Sequence, residues 1–156
     1  MLDITIVAIG KVKEGYYRDA LFEYQKRLSP YARLKIVELP AAPFLKNSQE
    51  QAKEFEGEVI ENFLHKSEKS HNSAVVYLLA ERGQTFTSIE FAAWLNKKQP
   101  LILVIGGALG FSEALYRKYP QISLSPLTFP HELARVVLIE QIYRATTIIN
   151  KKTYNY

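Results

Sequence analysis

Three short runs in this chain, residues 4–9 (ITIVAI), 74–79 (AVVYLL) and 101–105 (LILVI), are apolar at almost every position. A strand with one wet face alternates apolar and polar residues. A run without alternation has no side to give to water and must be covered on both faces. Residues 34–39 (LKIVEL) alternate like a strand, and residues 122–124 supply a fifth short one. Helical spacing fills the intervals between them. The resulting order, β-α-β-α-β-α-β-α-β-α, predicts an α/β fold with one mostly parallel sheet and helices on both faces. No repeat, low-complexity stretch or linker interrupts it, so residues 1–156 form a single domain, long enough to bury a substantial core.

The helices carry their own punctuation. Tyr17, Ala20, Leu21, Tyr24 and Leu28 recur at helical spacing, and Ser29-Pro30 ends that run. Residues 48–64 are amphipathic, although Gly57 costs that helix about 1 kcal/mol relative to alanine. Residues 80–84 (AERGQ) read as a loop, with Ser88 capping the helix beyond it and Ser112 capping another. Residues 123–150 are the most unusual part. A Pro-bounded loop, Pro126 to Pro130, leads into a helix whose apolar residues cover nearly its whole circumference. Leu133, Val136, Val137 and Thr147 fall on one side, Leu138, Ile142 and Ile149 on the other. Such a helix must be covered almost all round. One flank packs on the protein's own sheet, and the other calls for a second copy of the chain. Glu140 and Arg144, spaced i,i+4, are placed to pair within that surface, and Arg135 lies near the first turn.

Composition narrows the chemistry. A net charge of +4 permits an anionic partner without requiring one. Cysteine is absent, which removes disulfides and thiolate metal sites. His65, His71 and His131 are too scattered to suggest a metal cluster and read as surface or capping residues. The longest apolar run, residues 101–111, is too short to span a bilayer. The opening strand contains Asp3 and no basic leader, so the expectation is a soluble cytoplasmic protein without membrane or metal.

Three connections follow the carboxyl ends of strands, where open α/β sheets bind ligands: residues 79–84, 105–110 and 124–129. Gly106-Gly107-x-x-Gly110 lets backbone approach a ligand closely, but it matches neither a dinucleotide fingerprint nor a P-loop. Spacing alone therefore reaches an α/β domain with a ligand edge and a dimer helix. A flavodoxin-like nucleotide-binding module is still compatible with that description.

The longer segments go further. The opening strand ITIVAIGK, the EYQKRLSPY segment, the strand and loop at 78–83, VIGGALGF at 104–111, and above all SLSPLTFPHELARVVLIEQIYRA at 123–145 resemble the small SPOUT-class methyltransferases. These enzymes N3-methylate a pseudouridine in 23S ribosomal RNA. The resemblance implies an α/β fold with a C-terminal trefoil knot and an S-adenosyl-L-methionine pocket built by the three loops. It assigns Leu79, Gly106, Leu124, Ser125, Pro126, Leu127, Thr128 and Phe129 to the cofactor. It also implies a homodimer whose pocket lies against the partner subunit, and 23S rRNA in the large subunit or whole ribosome as substrate. Arg135 and Arg144 match the family's R-V-x-x-x-E-x-x-Y-R pattern and Tyr154 a tyrosine near its C-terminus, which makes these three the catalytic candidates. The family commonly ends Tyr-His plus a basic residue, whereas this chain ends Tyr154-Asn155-Tyr156. Asparagine exchanges no proton near neutral pH, so the competing expectation is a catalytically weakened, ribosome-binding member of the same fold.

Overall fold

The apolar runs pair as strands. The computed structural model describes residues 1–43, 48–70 and 73–154. Their elements are β1 (Leu2–Ile9), α1 (Gly15–Leu28), β2 (Ala32–Leu39), α2 (Gln49–Ser70), β3 (Val75–Gln84), α3 (Ser88–Lys97), β4 (Leu101–Ile105), α4 (Glu113–Lys118), β5 (Gln121–Ile122) and α5 (His131–Ile149). The five strands form one sheet, ordered β2-β1-β4-β3-β5, and every pairing is parallel. One rung crosses the whole sheet, through Val37, Val7, Val104, Leu78 and Gln121. Its three central residues are completely buried. Parallel strands need long crossovers, and the helices supply them.

Alternation along each strand divides the core in two. Ile4, Ile6, Leu101 and Leu103 meet α1, α3 and α5 through Leu21, Leu95 and Leu138. Val7, Ile9, Ile102 and Val104 meet α2 and α4 through Ile60, Leu64 and Leu115. Each such side chain, fully buried, is worth about 1.5–3 kcal/mol. Both faces are thus covered, as the unbroken apolar runs require.

Several local expectations need correction. Residues 80–84 are not a loop: they belong to β3, which bulges after Leu79 and returns, so that Leu79 and Gln84 both register with Ile122. Gly83 permits the return, because a Cβ there would sit 2.5 Å from the Ile122 backbone. The fifth strand is Gln121–Ile122 and does not extend to Leu124. The cap of α3 is Thr87 and not Ser88. Thr87 Oγ1 accepts from the Glu90 amide while Glu90 accepts from the Thr87 amide, a reciprocal capping box. Helix α2 runs on to Ser70, and Gly57 within it has a packing reason. A Cβ there would lie 3.2 Å from Ser112 Oγ at the start of α4. His71, Asn155 and Tyr156 lie outside the described residues.

Candidate active site

The carboxyl ends of β3, β4 and β5 stop near one another, and the connections that follow them enclose a cavity of about 530 Å³. That volume falls in the range of small-molecule sites. Leu79, Ala80 and Glu81 line it from β3, Gly106, Gly107, Gly110 and Phe111 from the β4 exit, and Leu124, Ser125 and residues 127–130 from the segment leading into α5. His131 and Ala134 in the first turns of α5 complete the wall.

Each wall is stiffened locally. The β4 exit is a tight turn: Gly107 and Gly110 bridge, the Gly110 amide donates to the Gly107 carbonyl at 3.1 Å, and Gly110 takes φ +76. A Cβ on Gly106 would crowd the Phe111 ring at 3.2 Å and the Gly110 backbone at 3.3 Å. In the third wall, Ser123 Oγ donates to the Ser125 carbonyl, and Ser125 Oγ accepts from the Leu127 amide. The Leu127 side chain itself is 72% exposed at the cavity rim. Tyr116 is held by Arg82, whose guanidinium sits 3.5 Å from the ring centroid and also pairs with Glu113.

Leu79, Gly106, Leu124, Ser125, Leu127, Thr128 and Phe129 all line the cavity. Pro126 does not; it is exposed and contributes stiffness to the loop. The three catalytic candidates divide. Arg144 and Tyr154 come together at the far end of α5. Arg144 donates to Glu140 at 2.7 Å and lies 5.1 Å from the Tyr154 ring centroid, and the Tyr154 hydroxyl reaches Glu140 at 3.4 Å. Burial and the Tyr24 hydroxyl push the Tyr154 phenol up to about 12, so at neutral pH it donates a proton in hydrogen bonds and does not act as a base.

Arg135 is elsewhere. It is 1% exposed, and its Nη2 donates to the carbonyls of Ile9 and Gly10 at 2.9 and 2.8 Å. Nη1 lies 3.6 Å from Glu38, while Nε and Nη1 make no hydrogen bond. Burial lowers its pKa, with Glu38 and Glu132 opposing. It holds α5 onto the end of β1. His131 is the residue that sequence reasoning missed: it lines the cavity instead of the surface. The available signal was its place directly after the Pro-bounded loop.

A family profile described as "Predicted SPOUT methyltransferase" matches residues 2–155. The chain belongs to the SPOUT methyltransferase family. Relatives named ribosomal RNA large subunit methyltransferase H agree with it along their whole length. The one from Parabacteroides distasonis is 40% identical, and those from Lactobacillus acidophilus and Listeria monocytogenes are 41% and 43% identical. In all three pairs the match covers 99% of both chains. SPOUT membership implies a methyl donor. No described helix is long and apolar enough to cross a membrane.

Proposed function

We propose that this chain transfers a methyl group from S-adenosyl-L-methionine to N3 of a pseudouridine in 23S ribosomal RNA, acting on the large subunit or whole ribosome in the cytoplasm. The observation that carries this reading is the cavity at the sheet edge, set in a chain that matches large-subunit rRNA methyltransferases end to end. The residues fit the donor. Gly106 keeps the β4 exit turn tight against Phe111 and Gly110 where it lines the cavity, and the Leu124–Phe129 wall offers backbone groups already ordered by Ser123 and Ser125. When bound, the donor supplies an activated sulfonium methyl group. Leu79 and Phe129 exclude water from it, Gly106 admits it, and the stiff third wall orients it for in-line attack.

In this reading the C-terminal segment forms the trefoil knot of the family, threading 123–130 past the β3 bulge, where the Ser123 amide donates to the Gln84 carbonyl. The protein works as a homodimer. Arg144 lies thirteen residues beyond His131 on α5, about 20 Å along the helix at 1.5 Å per residue. One chain therefore keeps Arg144 and Tyr154 away from its own cavity, and a second copy brings them to it. Leu133, Val136 and Val137 remain half-buried on the flank of α5, as a covered interface would use them. At that shared site Arg144 stabilises the imidate that forms on the base.

The test is methyl transfer from labelled donor to ribosomes of a strain lacking the modification, with the modified nucleotide mapped by mass spectrometry. We expect label at one pseudouridine of the large-subunit RNA. Donor and ribosome binding without label would instead make this a binding member of the family, with Asn155 as the first residue to revert to histidine.

A further inference from the structure

The proposed reaction leaves one task unassigned. The imide N3–H must lose its proton, and none of Arg135, Arg144 and Tyr154 accepts one near neutral pH. Two side chains that line the cavity do have the chemistry for it, Glu81 and His131.

We infer that His131, resting on the function proposed above, is the general base that takes the N3 proton of the RNA base. Its ring stands at the junction of the donor cavity with the β1–α1 connection. Its Nε2 lies 4.0 Å from the point a Cβ on Gly10 would occupy, and Gly10 has φ +81. Neither ring nitrogen hydrogen-bonds to any of the described residues, so the imidazole is unspent. Its position is fixed from both sides. Arg135, one turn on, grips the Gly10 carbonyl, and Glu132 accepts from the amides of Lys13 and Glu14. The charged groups facing it are Arg135 and Glu132 from α5 and Lys13 from the β1–α1 connection. Burial, with Arg135 and Lys13, holds its pKa below the ordinary 6.5, and Glu132 opposes them. The free base is thus the resting form at neutral pH.

The step balances without a further reagent. The N3 proton passes to an imidazole nitrogen, the N3 electron pair forms the N–CH3 bond, and the pair of the broken C–S bond remains on the donor sulfur. The imidazolium then returns its proton to water. Charge decides between the two candidates. Imidazole becomes a cation on accepting the proton and so stabilises the adjacent imidate. A carboxylate becomes neutral and gives no such help. Glu81 is also the more exposed of the two.

The experiment compares wild type, His131→Gln and Glu81→Gln in single-turnover methyl transfer to unmodified ribosomes from about pH 6 to about pH 9.5. Donor binding by calorimetry and imidazole titration by NMR on the ligand-free protein accompany it. We expect His131→Gln to slow transfer about 10²–10³-fold near pH 7 with unchanged donor affinity. The deficit should shrink as pH rises, because N3 then ionises unaided. The His131 ring should titrate below 6.5 and respond to S-adenosylhomocysteine, while His65 on α2 does not respond. An equal deficit at every pH, an undiminished rate, a ring titrating above 6.5, or the pH-dependent loss appearing in Glu81→Gln instead would each overturn the assignment. In those cases the wild type still methylates and only the base is wrong. A wild type that neither binds donor nor transfers methyl defeats the proposed function, and this inference with it.

Discussion

Gly107→Ala tests whether the cavity floor is held from beneath by α2. A Cβ on Gly107 would sit 2.6 Å from Glu56 Oε2 and 3.0 Å from Oε1. Ordinary contact begins near 3.4 Å, so the carboxylate must retreat by about 0.8 Å. It has little freedom to do so. Glu56 is 8% exposed and accepts from the Ala42 amide at 3.1 Å, which such a retreat stretches beyond hydrogen-bonding range. Losing a hydrogen bond to a buried charged group costs about 1.5–3 kcal/mol. Replacing glycine by alanine recovers about 0.4–1 kcal/mol from the unfolded chain. The net expectation is a loss of about 1–2 kcal/mol in urea unfolding, or a melting temperature lower by about 2–8 °C. In a Glu56→Ala background the obstacle is gone, and the same substitution should be neutral or slightly stabilising. The double-mutant cycle should therefore show a coupling of about 1.5–3 kcal/mol, the whole hydrogen-bond term. An equal cost in both backgrounds would refute the argument and place the strain in the Gly107 backbone.

Two further substitutions separate binding from support. Gly106→Leu, whose Cβ alone would press on Phe111 and Gly110, should weaken S-adenosylmethionine binding at least about 100-fold in calorimetry while the far-UV circular dichroism stays unchanged; retained affinity would contradict the pocket assignment. Arg135→Met removes the cation that two strand-end carbonyls share, and should cost about 1.5–3 kcal/mol in urea unfolding, the range for a hydrogen bond to a charged group. An unchanged or raised stability would mean that the fold does not need this arginine and that its burial serves the reaction.

What could be read from the chain, and what could not, follows from the distance over which each feature is decided. Unbroken apolar runs such as LILVI require cover on both faces wherever they lie, so the parallel sheet was legible from residue type alone. The Thr87-x-x-Glu90 box was equally legible, and it went unread only because the adjacent serine also caps well. The bulge of β3 was not. Glu81, Arg82 and Gly83 carry every local mark of a loop, and only the Ile122 backbone, some forty residues on, makes a strand of them. Arg135 is the strongest case. Its place near the first turn and its match to the R-V-x-x-x-E-x-x-Y-R pattern marked it as a catalytic candidate, yet its hydrogen bonds go to carbonyls 126 and 125 residues away. A buried cation takes the best acceptors the tertiary structure offers, and helical spacing says nothing about those. The same fact gives His131 its place, because the arginine that leaves the reacting end of α5 to brace β1 leaves an uncommitted imidazole one turn behind it, facing the cavity.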